Sequence, residues 1–367
     1  MFGRTWRIAR IGGFDINVDS SWLFLGLLIV FNWWSIFDAA NVRSGTAIAL
    51  AVLAAVIFFT SILAHELAHA VVARLRNISV IGITLHLFGG FTAHRGERRA
   101  LDTFLISAAG PLTSLAVGFA LIATSNIGGL SGPLSFELNR LGGLNVFLAI
   151  VNSLPGYPMD GGQVLRAIVW GVTGDRDRAT VIAAVLGQVV GAAAVGLGIW
   201  LIARQGVDGS FYAAWLIIVG SFIFSGARQA QAQSRSRQVL AGGTAEQAMS
   251  PLGPPMPEDV SLSESLDRYF RDHPGGVVPV VDRWGNLVGL LTFESARRVG
   301  ARDPLRPIRD AMIAPANMAT VQADEHLDRV AERVVGGDPA VVLKDGQAVG
   351  AISASDLGRW LGLRVRR

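Results

Sequence analysis

The sequence predicts a polytopic α-helical membrane domain, with about six transmembrane helices and a short membrane-associated β-ribbon, followed by a cytoplasmic α/β pair. Three observations predict it: long apolar runs with few charges, an arginine excess in alternate loops, and an internal repeat confined to the last third. Of the 367 residues, 51% are hydrophobic and 16% charged, with mean hydropathy +0.44. Soluble domains carry about 25% charge, so a soluble enzyme of this length is a poor reading. The imbalance is local. Residues 1–230 hold 15 Arg and 11 acids, whereas residues 231–367 hold 16 Arg, one Lys and 17 acids. The net charge is +4 and the pI about 10.2. That pI comes from Arg, since Lys344 is the only lysine, and no basic stripe points to nucleic acid. There are no cysteines, which removes disulfides and thiolate metal sites. A transition metal must sit mainly on His, Asp, Glu or backbone oxygen.

Spanning a bilayer takes roughly 17–25 largely apolar residues. Six stretches qualify as spans: Trp22–Phe37, Ala47–Leu75, Thr103–Ala123, Leu144–Trp170, Ala179–Ala203 and Phe211–Phe224. The apolar stretch Leu23–Phe31 follows Arg4, Arg7 and Arg10 as a signal peptide would. However, Ile11–Val18 reads as a strand pair turned at Gly12-Gly13, and no small-residue cleavage site follows, so the segment is expected to be retained. With a cytoplasmic N-terminus, thirteen loop arginines fall inside (Arg4, Arg7, Arg10, Arg74, Arg76, Arg95, Arg98, Arg99, Arg176, Arg178, Arg228, Arg235 and Arg237) and three outside (Arg43, Arg140 and Arg204). That places the C-terminal half in the cytoplasm of a plasma-membrane protein. Trp22, Trp33 and Trp34 suit interfacial anchors. Between spans two and three, Ile78–Phe91 mixes β-branched residues with Gly82, Gly89 and Gly90, which favours a ribbon at the interface or against protein.

The expected divisions are a membrane domain over 1–230, a linker over 231–243, and two repeats over 244–303 and 304–367. At an offset of about 61 residues, Leu266-Asp267-Arg268 recurs as Leu327-Asp328-Arg329, and Gly289-Leu290-Leu291-Thr292 as Gly350-Ala351-Ile352-Ser353. Each copy reads helix, strand, turn, strand, helix.

Chemistry concentrates in span two, at His65-Glu66-Leu67-Ala68-His69. On a helix His69 lies about 40° round from His65, with Glu66 beside both. Two imidazoles can then chelate one ion next to a general base. Ionisable groups within a span cost about 2.5 kcal/mol or more each, and three in five residues need a common partner. Zinc catalysis requires a third protein ligand and an open position. Span four offers Asp160 in a segment broken by Pro155, Gly156, Pro158, Gly161 and Gly162. His65 lies 18 residues past Ala47 and Asp160 16 past Leu144, so both reach similar depth. Asp160 could otherwise cap the helix that follows. Asn152 reads equally as an oxyanion donor or as a partner for backbone freed near Pro155.

His65-Glu66-x-x-His69, Asn152-x-x-Pro155 through Asp160-Gly161, and Ala109-Gly110-Pro111-Leu112 together resemble the site-2 protease family of intramembrane zinc metalloproteases. The resemblance covers roughly residues 1–230. It implies one zinc per chain on His65, His69 and Asp160, with Glu66 as base in hydrolysis of membrane-spanning substrates. A tethered regulator or a signal-peptide remnant is the substrate it suggests. The Leu85–Phe91 stretch could bind such a substrate by strand addition or plug the site. His86 and His94 could gate or hold a second metal, or be surface polar groups; His273 and His326 read as solvated.

The C-terminal repeat resembles a tandem CBS pair (Bateman module) over about 244–362. In modules of that family that bind adenine nucleotides, Thr or Ser followed three residues later by Asp contacts phosphate and ribose. Ser353 and Asp356 keep that pattern, while Thr292 is followed by Ser295. ATP, ADP or AMP is therefore an implied ligand, and homodimerisation through the pair an implied assembly. Two rival readings stand: a CBS-regulated ion channel or transporter with the His/Glu/Asp cluster lining its pathway, and a scaffold with structural zinc.

Overall fold

The computed structural model describes residues 5–86, 89–95, 99–127, 130–205, 210–271, 277–314, 317, 319–334 and 339–364, and separates into two compact units, Met1–Ala232 and Gln233–Arg367. The first is built on seven helices: α1 (Ser20–Ala39), α2 (Ser44–Leu75), α3 (Ala100–Ser125), α4 (Pro133–Asn152), α5 (Asp160–Thr173), α6 (Arg176–Gln205) and α7 (Ser210–Ala241). Six of these, all but α5, are long and apolar enough to cross a membrane among the described residues. α7 carries the chain from the first unit into the second.

Two corrections to the span reading follow. The fourth apolar run is not one interrupted span from Leu144 to Trp170. It is α4, which starts eleven residues earlier with Pro133 at its first position, then an irregular segment, then the 14-residue α5. Proline suits that first position because its missing N–H has no intrahelical acceptor there. The polar residues Glu137, Asn139 and Arg140 hid the first half of α4. Glu137 and Asn145 are in fact buried in protein.

The ribbon also belongs to something larger. β1 (Thr5–Ile11), β2 (Phe14–Asp19), β3 (Ser79–His86) and β4 (Gly89–Arg95) form one four-stranded sheet in that order. β1 and β2 make the expected hairpin, whose Gly12 and Gly13 take φ of +57° and +85°, a conformation glycine adopts at little cost. β2 then pairs in parallel with β3, and β3 antiparallel with β4, which leaves β4 at an edge. Alternation in β2 turns Phe14, Ile16 and Val18 inward, where they pack with Ile62 and Ala70 of α2 and with Ile83 and Leu85 of β3. The sheet is thereby fixed against the turn of α2 that carries the histidines. Arg74 clamps the β1–β2 turn, donating to the Gly12 carbonyl with its guanidinium over the Phe14 ring. Arg76 Nε donates to Asp102 Oδ1 at 2.7 Å and ties the end of α2 to the start of α3.

α3 and α4 pack closely through glycine. A Cβ on Gly118 would lie 2.9 Å from the Gly142 carbonyl oxygen, and one on Gly142 2.7 Å from that of Gly118. Small residues at such contacts let helix backbones approach within a membrane.

The second unit repeats one motif. β5 (Met256–Pro257), β6 (Val277–Val281) and β7 (Leu287–Thr292) form a sheet in which β5–β6 is parallel and β6–β7 antiparallel; β8 (Ala319–Gln322), β9 (Ala340–Lys344) and β10 (Gln347–Ile352) do the same. The short strands β5 and β8 add an element to the pattern read from the sequence. The helices are α8 (Ala245–Ala248), α9 (Leu262–Ser265, extended by a π turn over Leu266–Phe270), α10 (Phe293–Gly300), α11 (Leu327–Val334) and α12 (Ala354–Arg364). Each copy lends its leading segment to the other: Ser250 bridges Ala351 of β10, and Ile313 bridges Leu290 of β7. Gly289 closes on Met312 and Gly350 on Met249 in matching fashion. This cross-bracing buries Val277, Leu290, Val341 and Ala351 in a shared core. The recurrence of Leu-Asp-Arg is not a structural equivalence, however. Leu327 opens α11 and its amide donates to the Gly243 carbonyl; the residue in that role in the first copy is Leu262, whose amide donates to Arg306.

Gly142→Val is expected to destabilise the membrane unit by about 1–3 kcal/mol through overpacking, lowering the melting temperature in detergent. Gly143→Val, where a Cβ meets nothing within 4 Å, should leave the close helix contact intact and cost less in the same measurement.

Candidate metal centre

α2 carries His65, Glu66 and His69, all buried. Their ligand-capable atoms lie within 4.8 Å of one another. Asp160, the first residue of α5, joins them. Its Oδ2 is 3.1 Å from His65 Nε2 and 3.4 Å from His69 Nε2. Two ligands about 2.0–2.2 Å from one tetrahedral ion stand about 3.3 Å apart, so both separations suit a shared metal.

The imidazoles are aimed from behind. His69 Nδ1 donates to the Ile106 carbonyl at 2.6 Å, and His65 Nδ1 lies 2.8 Å from Ser114 Oγ; both partners are on α3. A carbonyl only accepts, so in neutral His69 the Nδ1 carries the proton and Nε2 is left as the donor atom for an ion. Such outer partners fix tautomer and ring orientation at metal sites. The space both Nε2 atoms face is kept open by Gly110. A Cβ there would lie 2.3 Å from His69 Nε2 and 2.5 Å from His65 Nε2. Two imidazoles, a carboxylate and a cradle that a single methyl would fill fit a zinc ion.

Glu66 stands apart from His65, His69 and Asp160 by its contacts. Thr92 Oγ1 on β4 donates to its Oε2 at 2.8 Å and lies 3.2 Å from its carbonyl oxygen. Gly90, on the same edge strand, leaves room for the carboxylate: a Cβ there would sit 2.7 Å from Oε1. Asp160 in turn is delivered by the irregular segment that follows α4. The Tyr157 amide donates to the Ala183 carbonyl of α6 at 3.0 Å, and its hydroxyl accepts from Gln163 and Arg166 of α5. Gly161 and Gly162 fit against the Ser153 and Gly156 carbonyls, where a Cβ would come within 2.4 Å of oxygen.

The structure thus brings His65, Glu66, His69 and Asp160 together from two helices, α2 and α5. Asn152 ends α4 half-buried and makes no hydrogen bond to those four among the described residues. The sequence did not single out Ser114 or Thr92, and marked Gly90 only as a glycine of the ribbon. Gly110 and Ser114 sit one turn apart on α3, a small-residue and hydroxyl spacing that was the available signal. Thr92 gave none, because its contact depends on how the sheet docks. His86 ends β3 half-buried, and burial lowers its pKa from the ordinary value despite Asp19 nearby. The His94 side chain and His273 lie outside the described residues.

In the second unit Thr292 caps α10 in a reciprocal box with Ser295. Ser353 and Asp356 make the equivalent cap on α12: the Ser353 amide and hydroxyl donate to Asp356 Oδ2 at 2.8 and 2.6 Å. Asp356 Oδ1 accepts from Ser250 at 2.7 Å and from Arg359.

These features define a metal-dependent hydrolase site inside a multi-pass membrane protein. Residues 46–136 match the family model described as Peptidase M50B-like. The chain is 33% identical to Rip3 of Mycobacterium tuberculosis, a protein assigned as a zinc metalloprotease, over 96% of this chain and 91% of that one. It is also similar to the solved site-2 protease from Methanocaldococcus jannaschii (25% identity, TM-score 0.45, 62% of this chain and 95% of that one). Its C-terminal part is similar to the CBS-domain protein ATU1752 from Agrobacterium tumefaciens (21% identity, TM-score 0.28, 32% and 92%). The chain belongs to the site-2 protease family of intramembrane zinc metalloproteases. Family membership favours peptide hydrolysis over the ion-pathway reading.

Ser114→Ala is expected to weaken zinc affinity about 10–100-fold, read by competition with a chromophoric chelator. Gly110→Ala should abolish stoichiometric zinc binding in the same titration.

Proposed function

We propose that this protein is an intramembrane endopeptidase that cuts membrane-spanning substrates, with His65, His69 and Asp160 holding one zinc ion and Glu66 as general base. The observation that carries this reading is the convergence of two imidazole Nε2 atoms and one carboxylate oxygen over Gly110, with the Glu66 carboxylate alongside. Zinc, when bound, supplies Lewis acidity at the scissile carbonyl and makes water a stronger acid.

The chain's own residues manage the proton. Glu66 Oε2 is held by the Thr92 hydroxyl, which leaves Oε1 on the side that Gly90 keeps open. Glu66 accepts the proton of the attacking water and returns it to the departing amine, so that the base is regenerated as the C–N bond breaks. Asn152, eight residues before Asp160 on the same connection, is suited to donate to the oxyanion. A helical substrate hides its carbonyls, so it must unwind to be cut. β4 is an edge strand whose Gly90 and Thr92 adjoin Glu66, and strand addition there would present an extended substrate backbone to the base.

The thirteen-to-three arginine bias supports an N-terminus and a Gln233–Arg367 unit on the cytoplasmic side of the plasma membrane. A tethered regulator or a signal-peptide remnant suits a protease so placed. The twin units of the second domain are read as a CBS pair that modulates cleavage through adenine nucleotide, with Ser353, Asp356 and Thr292 at the ligand positions. A nucleotide reaching Asp356 has to displace Arg359 and Ser250 from its Oδ1. Dimerisation through the pair belongs to the same reading.

Glu66→Gln tests the mechanism. The variant should keep wild-type zinc content while cleavage of a model transmembrane substrate falls about 10²–10⁴-fold; unchanged turnover would exclude Glu66 as base. For the second unit, calorimetric titration of the full chain with ATP, ADP and AMP should give saturable binding that Asp356→Asn weakens. Indifference of both proteins to all three nucleotides would remove the nucleotide reading.

A further inference from the structure

Glu137 has no solvent exposure, and neither of its carboxylate oxygens meets a hydrogen-bond donor among the described residues. Two turns further along α4, Asn145 is 1% exposed; its Nδ2 donates to the Leu141 carbonyl at 2.9 Å, while its Oδ1 also has no donor. At about 100° per residue, Glu137, Asn145 and Asn152 fall within about 80° of one another, a single stripe about 22 Å long. Leu141 lies on that stripe and packs with Ala47, Ala51 and Ala54 of α2. Alanine offers neither a donor nor bulk. On the other flank, the Gly118–Gly142 contact sets the antiparallel register of α3 on α4. That register puts Asn145 within about one turn of Ser114, whose hydroxyl touches His65 Nδ1. The stripe therefore leads from the α3–α4 connection toward the metal centre.

All three orphaned atoms are acceptors, so what is missing is a donor small enough to reach them between packed helices. Water meets that requirement, and buried polar groups without protein partners are ordinarily satisfied by it. Carboxylates inside a membrane domain commonly mark a hydrated or proton-conducting route. We infer that Glu137 and Asn145 line a water-bearing track along α4 that supplies the metal centre from the α3–α4 end of the domain. The inference rests on the reading of His65, His69 and Asp160 as a hydrolytic centre, which consumes one water for each peptide bond cut.

The absence of cysteine makes the track directly testable in the full chain reconstituted in lipid nanodiscs. Single replacements Glu137→Cys, Leu141→Cys and Asn145→Cys are compared with Phe147→Cys and Ile150→Cys, which lie on the opposite, exposed face of α4. A small, charged methanethiosulfonate reacts only with thiolate, which forms where water reaches. The track positions should label at least tenfold faster than the exposed-face pair. Uniformly slow labelling at all five, with zinc content retained, overturns the inference. Leu141→Cys removes no polar group and so reports on the track even if Glu137→Cys does not fold. In parallel, Asn145→Leu should lower kcat at least tenfold with zinc content and KM unchanged, and Asn145→Ser should retain activity. Full activity of the leucine variant overturns supply through this route. Wild-type protein without stoichiometric zinc would instead defeat the metal-centre reading, and the labelling contrast would still judge the track.

Discussion

The contact of one Asp160 oxygen with the Nε2 atoms of both His65 and His69 is the constraint around which the membrane unit is arranged. A carboxylate and two imidazoles cannot be carried into a membrane domain cheaply unless they meet one another or an ion. Meeting requires that α2 and the start of α5 stop at the same depth and face the same point. The irregular segment between α4 and α5 provides for this. Gly161 and Gly162 at the start of α5 let its Ser153 and Gly156 carbonyls approach as no side chain would permit, and the Tyr157 contacts with α5 and α6 hold it in place.

Around that contact, α3 does more than fill space. It supplies Ser114 and the Ile106 carbonyl behind the imidazoles, and Gly110 in front of them. One helix thus orients both rings and preserves the space they face. A residue larger than glycine at position 110 would occupy that space, and loss of either outer partner would release a ring to rotate. The sheet contributes the remaining wall. Its edge strand β4 brings Thr92 and Gly90 against Glu66, so the position of that carboxylate is set by how the sheet folds back on α2.

The second unit is a different physical problem, solved by repetition. Each small three-stranded sheet is too narrow to bury both faces alone, and each copy hands its leading segment to the other. The equivalence of Leu262 with Leu327 shows how repeat alignment by short identical strings can mislead. A buried first helix residue with an amide bonded to a segment distant in sequence is the shared physical role, and the matching Leu-Asp-Arg strings serve different turns.

Local chemistry made much of this legible. Apolar length marked the membrane helices, the Gly12-Gly13 pair marked the first hairpin, and helical periodicity alone put His65, Glu66 and His69 on neighbouring positions. Asp160 was legible because a carboxylate in a broken apolar run is costly without a partner. What local pattern did not carry was anything decided by which elements pack together. The start of α4 was obscured because burial against neighbouring helices, invisible in a hydropathy window, accommodates Glu137. The union of the ribbon with the N-terminal hairpin depends on parallel pairing between strands some sixty residues apart. Sequence by itself determined the kinds of element and the reactive groups, because those follow from short-range periodicity and transfer energy. Only tertiary structure decided the partners of those groups, Ser114, Ile106, Thr92 and Gly90 among them, because hydrogen bonds and close backbone approach act between atoms that the chain brings together only when folded.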